Sequence, residues 1–204
     1  MEAHRSIAAL ISPGVILAID TTREWGSLSL EGAEISMHAP LGFSGVLFAE
    51  IGKLLRAIGV SLDQIDCFAA AVGPGTFTGV RMGITCAMGL AEALGKSVCG
   101  VSNLEALAEF GMGPLRAVTI DARRGDIYAA VYGPEGALIV PERVCTPDEF
   151  RAALPAGEIE WMSYDGPLAG AIAKVARRKQ WSKPAQMEAN YLRRTDAELN
   201  LRVS

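Results

Sequence analysis

The sequence predicts an α/β protein made of two related halves, each a mixed β-sheet with helices on its faces. In the first half, three strand patterns are followed by helices that alternate with strands, which is the order of crossover connections in such sheets. The order of strand, Asp, polar turn and strand occurs in "VILAID-TTRE-WGSLSLEG" and again in "RAVTID-ARRG-DIYAAVYG", with Asp121 in the place of Asp20. This internal repeat predicts a first lobe at 15–112 and a smaller second lobe at 113–204.

The elements of the first half follow from the spacing of apolar residues. Short continuous or alternating apolar runs predict strands, and apolar residues three and four apart predict helices. After a loose leader to about Gly14, the predicted elements are strands at 15–20, 25–30 and 34–39, a helix in "VLFAEIGKLLRAIG" that stops at Gly59, a strand at 67–73, a helix at 77–94, a strand at 97–101 and a helix in "SNLEALAEF". Ser102 and Glu105 predict a capping box at the start of the last helix.

The second half repeats this order in shortened form. Its first two strands are those of the repeat, and a third is predicted in "ALIVPERV". A helix follows at Thr146-Pro147-Asp148-Glu149, where proline stands at the first helical position and Thr146 and Glu149 predict a capping box. One strand in "IEWMSYDGP" and one helix in "LAGAIAKVARRK" complete the half, and the tail beyond them has no assignment.

Composition and charge exclude several classes of protein. A chain of 204 residues that is 50% hydrophobic forms a globular core without disulfides. The net charge of −4 argues against an extended nucleic-acid surface, so the basic clusters Arg123-Arg124 and Arg177-Arg178-Lys179 are interpreted as solvated. The four cysteines form no C-x-x-C pair and lie mostly in apolar runs, which indicates buried thiols in a reducing cytoplasm. The helix pattern at 77–94 carries Arg81 and Glu92, so no membrane span is predicted.

The repeated strand-Asp-turn unit resembles the actin-like ATPase and sugar-kinase superfamily, which has duplicated ribonuclease-H-like lobes. The resemblance implies a nucleotide site between Asp20, Thr21 and Thr22 of the first lobe and Asp121 of the second. A phosphate-binding turn usually contains glycine, because a side chain keeps the backbone away from the phosphates, and the turn after Asp20 has none. The turn in "YDGP" has a single glycine. We therefore favour a vestigial site in which each Asp caps its own turn, and a stand-alone actin-like ATPase or sugar-kinase-type phosphotransferase is the alternative function.

Four stretches resemble the TsaB (YeaZ) family, and the resemblance extends over nearly the whole chain from Val15. They are "ILAIDTT", "AVGPGTFTGVRMGITCAMGLAEALGKSVCGVSNLEALA", "IDARRGDIYAAVY" and "NYLRRTDAELNL". The resemblance implies a non-catalytic subunit required for threonylcarbamoyl transfer to the adenosine beside the anticodon of tRNA. It also implies the catalytic paralogue TsaD and the small ATPase TsaE as partners, a homodimer when alone, and contact with tRNA through the complex. One departure is Gly42-Phe43-Ser44-Gly45, where family members usually have a His-Ser-Glu-like segment.

The stretch "GPGTFTGVR" opens the helix at 77–94, and its spacing matches neither a P-loop nor G-x-G-x-x-G. Small residues recur at every fourth position of the helix from Gly79, which indicates a groove that another helix backbone can approach closely. The predicted partner-interface residues are Gly73, Pro74, Gly75, Phe77, Thr78, Gly79, Arg81, Met82, Gly83 and Ala87. In the alternative interpretation, a neighbouring helix of the same lobe fills this groove.

No catalytic residue, metal site or tightly bound cofactor is predicted, and any nucleotide is expected to bind only weakly or at a partner interface. The two histidines, His4 and His38, lie in the leader and at a strand end, and no H-E-x-x-H motif occurs. Ser44 is not in a G-x-S-x-G elbow. Tyr128 is expected in core or inter-lobe packing. The arginine pair in "YLRRTDAE" fits either tRNA phosphate contact or solubility.

Overall fold

The computed structural model of the protein describes residues 14–192. Its first sheet has five strands in the order β3-β2-β1-β4-β5. The strands are β1 (Ile16–Asp20), β2 (Trp25–Leu30), β3 (Ala33–His38), β4 (Cys67–Ala71) and β5 (Ser97–Val101). The first three form an antiparallel meander, while β4 is parallel to both β1 and β5. The predicted mixed sheet is therefore confirmed, with β1 at its centre.

The second sheet repeats this pairing with one strand fewer. Its order is β8-β7-β6-β9, and its strands are β6 (Leu115–Arg123), β7 (Asp126–Tyr132), β8 (Leu138–Cys145) and β9 (Ile159–Met162). The strands β6, β7 and β8 form an antiparallel meander, and β9 is parallel to β6. The internal repeat is thus present in the topology, whereas the lobe boundary near residue 113 stays a prediction.

Residues 14–192 contain five α-helices, four between strands and the fifth after β9, and most of their ends follow local sequence signals. They are α1 (Leu47–Ile58), α2 (Phe77–Leu94), α3 (Asn103–Ala108), α4 (Pro147–Ala152) and α5 (Ala169–Ala176). Gly59 ends α1 in the left-handed conformation with φ 72°, as predicted. The capping box of Thr146 and Glu149 is confirmed. The one predicted for Ser102 and Glu105 is wrong in its second member, because Glu105 binds Lys179 at 2.5 Å instead.

The elements stack in five layers. Because side chains of a strand alternate between its faces, Leu17 and Ile19 of β1 join the core under α1 and α2, while Ile16 and Ala18 join the core on the opposite face. That second core also contains residues of α3, α5 and the inner face of the second sheet. On the outer face of the second sheet, Phe150 of α4 covers a third, smaller core. Among the residues that the structure describes, no helix combines the length and apolar character that a membrane span requires.

The end of the chain returns to the first sheet. Helix α5 packs on β1 and β2 although it follows the second sheet in sequence. Beyond it, Ser182 and Val98 of β5 exchange two backbone hydrogen bonds of 2.9 Å. Met187 is buried in the core under α1 and α2, and the N–H of Asn190 donates to the carbonyl oxygen of Val72 at 2.8 Å. The tail that the sequence leaves unassigned therefore completes the first sheet.

The basic cluster at 177–179 contributes to this return. Its three side chains are exposed, but each binds a glutamate of the first half, which the solvated interpretation did not predict. The pairs are Arg177 with Glu31, Arg178 with Glu109 and Lys179 with Glu105. The side chain of Glu109 is only 6% exposed, so these pairs hold the segment after α5 against partly buried carboxylates of the first half.

Candidate functional site

A cleft of about 1130 Å³ lies between the two halves. Its walls include the turn after β1, the loop Gly73-Pro74-Gly75-Thr76 (the GPGT loop), the adjoining ends of β6 and β7, and residues 163–165. Thr21, Thr22 and Asp121 of the predicted nucleotide site line it. Tyr128 also lines the cleft and contacts the core between the sheets, as expected.

Asp20 lies beneath the cleft surface and is fully buried. Its Oδ1 accepts hydrogen bonds from the backbone N–H of Thr22 at 2.9 Å and from Thr22 Oγ1 at 2.6 Å. Burial raises the pKa of this carboxyl, and the hydrogen bonds from Thr22 and the charge of Arg23 offset only part of that rise. Within the described residues, Oδ2 has no hydrogen-bond partner, and Arg23 Nη2 is 3.8 Å away. Asp20 therefore serves its own turn and does not reach the cleft.

Asn103, the first residue of α3, connects this turn to the GPGT loop. Its Nδ2 donates to Thr22 Oγ1 at 2.6 Å, and its Oδ1 accepts from the backbone N–H of Gly73 at 3.2 Å. The backbone N–H of Asn103 donates to the carbonyl oxygen of Gly73 at 2.8 Å. Sequence reasoning missed this residue, because an Asn at a helix start has no local signal for a partner so distant in sequence.

The start of α2 packs directly on the turn after β1. The N–H of Thr76 donates to the carbonyl oxygen of Thr22 at 2.8 Å, and Thr21 Oγ1 donates to the carbonyl oxygen of Gly79 at 2.7 Å. A Cβ added at Gly75 would lie 2.6 Å from the Cβ of Thr22. The GPGT loop and the turn thus fill the space between them.

These residues do not fit a magnesium-bound nucleotide. The N–H of Thr22, which a phosphate would need, is taken by Asp20, and the Thr22 side chain packs against Gly75 of the GPGT loop. On the other wall, Asp121 is exposed, but its Oδ1 accepts from the N–H of Arg123 at 2.7 Å. Both aspartates accept a hydrogen bond from their own turn, the arrangement that the sequence favours.

The groove predicted on α2 does not face a partner. Gly79, Gly83, Ala87 and Ala91 are all buried against the chain's own first sheet. A Cβ at Gly83 would lie 2.8 Å from Thr21 Oγ1, so the small residues allow α2 to approach β1 closely. The interpretation of this stripe as a docking groove is therefore wrong. The alternative is correct in placing the stripe inside its own lobe, but its neighbour is β1 with the following turn and not a helix.

The predicted interface residues divide between the two sides of α2. Gly73, Pro74, Gly79, Gly83 and Ala87 are buried, Met82 is half-buried, and Gly75, Phe77, Thr78 and Arg81 are exposed. The side chains of Phe77 and Tyr191 are about half exposed. The guanidinium carbon of Arg81 lies 3.9 Å from the centre of the Phe77 ring, and Arg81 Nε donates to the Tyr191 hydroxyl at 3.1 Å. Phe77, Arg81 and Tyr191 form a surface that we call the α2 face; Tyr191 is a member that the sequence did not predict.

The departure from the family pattern, Gly42-Phe43-Ser44-Gly45, lies at the cleft. Phe43–Gly45 is a short 3-10 helix, with Phe43 buried in the first core and Ser44 exposed. A Cβ added at Gly26 would lie 2.6 Å from the Phe43 ring, so this ring packs closely on β2.

Within residues 14–192, the side chains relevant to metal or nucleophilic chemistry are His38, the cysteines and the carboxylates. No group of three or more His, Cys, Asp and Glu side chains in this range is placed to hold a metal ion. His38 stacks on Trp25 with ring centres 4.3 Å apart, and its Nε2 lies 3.0 Å from Glu24 Oε1. Burial raises the pKa of the Cys86 thiol to about 12, so this cysteine stays protonated. His4, Arg193 and Arg194 lie outside the described residues.

The cysteines are buried as predicted, with Cys145 half-buried. All four are free thiols: Cys67, Cys86, Cys99 and Cys145. Burial also raises the pKa of Cys99 to about 11. They act as small apolar side chains of the cores.

Comparison with known proteins identifies the family. A family model described as "TsaD: tRNA N6-adenosine threonylcarbamoyltransferase" matches residues 43–190, more than half of the chain. The chain is 31% identical over 153 residues to the tRNA threonylcarbamoyladenosine biosynthesis protein TsaB of Haemophilus influenzae, covering 66% of this chain and 65% of that protein. It is 37% identical over 125 residues to TsaB of Escherichia coli, covering 57% of this chain and 54% of that protein. The chain thus spans between about half and two thirds of the length of these relatives.

The fold is likewise shared with a solved structure. YeaZ from Pseudomonas aeruginosa matches with a TM-score of 0.75 and 27% sequence identity, over 88% of this chain and 100% of that one. Together with the two repeated sheets, this likeness confirms the predicted α/β fold of duplicated ribonuclease-H-like lobes, as in actin-like ATPases. By the extent of the family match and the identity to its curated members, the chain belongs to the TsaB (YeaZ) family.

Proposed function

We propose that this protein is a non-catalytic scaffold subunit in the biosynthesis of threonylcarbamoyladenosine, the modified adenosine beside the anticodon of tRNA. In this role it supports threonylcarbamoyl transfer by the catalytic paralogue TsaD, together with the ATPase TsaE, in the cytoplasm. Alone it forms a homodimer, and it reaches tRNA indirectly through the complex. Two of the relatives above are named for this biosynthesis, and the matching family model is named for the transferase.

The contrast between the two sides of α2 and its loop carries the proposal. On the inner side, the GPGT loop is packed against Thr22, which supports weak nucleotide binding and no catalysis by this chain. On the outer side, the α2 face exposes an aromatic ring and an arginine, the residue types that contribute most to protein interfaces. The partner surface therefore consists of this face with Gly75, Thr78 and Met82, and excludes the buried stripe.

The test is the binding of TsaD to variants of the α2 face. Phe77→Ala and Arg81→Glu remove its aromatic and charged groups, so we expect each to weaken TsaD binding about tenfold or more in analytical ultracentrifugation. Both side chains are exposed, and the melting temperature of the lone chain should change little.

The matched control is Leu138→Ala, since Leu138 is an equally exposed apolar side chain on β8. This variant should bind TsaD like the wild type. Normal binding by Phe77→Ala and Arg81→Glu, or equal loss in the control, would remove the α2 face from the proposal. Failure of the wild-type chain to bind TsaD would contradict the scaffold role itself.

A further inference from the structure

A chain of buried hydrogen bonds runs from the GPGT loop to Asp20. The N–H of Gly73 donates to Asn103 Oδ1, Asn103 Nδ2 donates to Thr22 Oγ1, and Thr22 Oγ1 donates to Asp20 Oδ1. Asp20, Thr22 and Asn103 are each at most 1% exposed. All three bonds are donated in the direction from Gly73 to Asp20, and the last acceptor is a carboxylate oxygen. Each bond therefore polarises the next.

Three separate parts of the chain meet in this network. Asp20 and Thr22 follow β1, Gly73 begins the GPGT loop, and Asn103 begins α3. Asn103 joins the other two parts: its Nδ2 donates to Thr22, while its Oδ1 and backbone N–H bind the backbone of Gly73. These groups are buried, so their hydrogen bonds to one another satisfy polar atoms that solvent contacts little.

The network lies directly behind the α2 face. Thr22 accepts the N–H of Thr76, which is the N-cap of α2, and the next residue is Phe77. Thr21 holds the carbonyl oxygen of Gly79 in the first turn of the helix. A shift of the turn or the loop would therefore move Phe77, and with it Arg81, which stacks on the Phe77 ring.

We infer that Asn103 is a positioning residue: through Thr22 and Gly73 it fixes the first turn of α2, and so presents the α2 face to its partner. The buried carboxylate of a nucleotide-type turn here serves to order a protein-binding surface. The partner in this inference is the TsaD of the proposed function, but the ordering of the loop is a property of the lone chain and is measured separately.

The experiment uses amide hydrogen exchange by NMR on the full chain. Asn103→Leu removes both side-chain hydrogen bonds of Asn103, and Thr22→Val removes the two bonds of Thr22 Oγ1, one from Asn103 and one to Asp20. Each should speed exchange at Gly73, Gly79 and Val80 about tenfold relative to the amides of β1, the change that loss of one buried hydrogen bond produces in an opening equilibrium. TsaD affinity should fall by a similar factor.

Two further variants separate positioning from general stability. Ser29→Ala removes an equally buried hydroxyl of β2 outside the network, and it should leave the loop amides unchanged. The double variant Thr22→Val with Asn103→Leu replaces both partners by apolar groups, which restores much of the global stability. We expect the double variant to stay folded while its loop amides still exchange fast and TsaD still binds weakly.

The inference would be overturned if the loop amides of Asn103→Leu and Thr22→Val exchanged at the wild-type rate. A uniform increase of the exchange rate over all amides would overturn it as well. Should Asn103→Leu fail to fold, Thr22→Val and the double variant still decide it. If the wild-type chain does not bind TsaD, the proposed function fails, while the exchange data still decide whether Asn103 orders the loop.

Discussion

Ser27 of β2 caps a helix from the other half of the protein: its Oγ accepts the backbone N–H of Ala169 at 2.9 Å. It also accepts the N–H of Leu168 at 3.1 Å. Helix α5 has no side-chain cap from its own sequence, and Glu34 of β3 takes the N–H of Gly170 at 2.8 Å. The first sheet thereby satisfies the N–H groups that a helix start leaves without intrahelical partners.

Replacing Ser27 with alanine should destabilise the whole protein. The change leaves buried N–H groups of Leu168 and Ala169 without an acceptor, which costs about 1–3 kcal/mol. Urea unfolding measures this loss. The control is Ser36→Ala, since Ser36 is the cross-strand partner of Ser27 and is exposed. Equal stability of the two variants would show that Ser27 does not cap α5.

Two glycines of α2 should respond in opposite directions to substitution. Gly83→Leu places a side chain against Thr21 and Ile19, and such overpacking destabilises by about 1–3 kcal/mol. Gly89 faces outward with no other atom near its Cβ position, so Gly89→Ala should stabilise the helix by about 0.5–1 kcal/mol. Thermal unfolding of the lone chain compares them. A stable Gly83→Leu protein would mean that α2 does not approach β1 as closely as described.

Asp20→Asn should keep the fold and change the pH dependence of stability. Asparagine retains an oxygen for the two bonds from Thr22 and removes a buried charge. Because burial raises the pKa of Asp20, the folded protein holds the proton to higher pH than the unfolded chain, whose value is the ordinary 3.8. The stability of the wild type relative to the variant should therefore fall as the pH rises above that value.

Urea unfolding of both proteins between about pH 4 and about pH 8 tests this sign. At the upper end of this pH range, Asp20→Asn should be at least as stable as the wild type. The difference in unfolding free energy between the two proteins should narrow towards the lower end of the range. A wild type that gains stability over the variant with rising pH would indicate a well-paired Asp20 carboxylate.

ATP hydrolysis by the isolated chain should be negligible. In the turn after β1, the N–H of Thr22 donates to Asp20 and is not available to a phosphate. The turnover of ATP should therefore stay far below the roughly 1 per second of an ordinary enzyme. Phosphate release measures it, with Asp20→Asn as the comparison. Turnover in the ordinary range that disappears in Asp20→Asn would favour the phosphotransferase alternative.

Much of the fold can be predicted because its signals are local. The apolar period places β1 and α2 within a residue of their observed ends, and Gly59 marks the end of α1 because only glycine adopts its left-handed conformation without strain. The repeat of strand, Asp and turn predicts the pairing of the second sheet. The return of the tail is not predictable in this way, since Ser182 meets β5 through backbone groups alone.

The site is less accessible to sequence reasoning, because its members meet across long stretches of chain. Thr22 and Asn103 are 81 residues apart, and Arg81 and Tyr191 are 110 residues apart. The spacing of Gly79 and Gly83 correctly indicates a close backbone approach, but spacing does not say which element approaches. The structure shows that it is β1 and its turn.

The return of the C-terminal segment to the first sheet also affects how the protein is made. On the ribosome, a nascent chain that ends after α3 has β1 to β5 but lacks α5. The sheet face that contains Ile16 and Ala18 is then without the helix that packs on it in the complete protein. Met187 and the backbone of Ser182 arrive later still. The half that is synthesised first is thus the last to be completed, and its apolar surface needs protection throughout the synthesis of the second half.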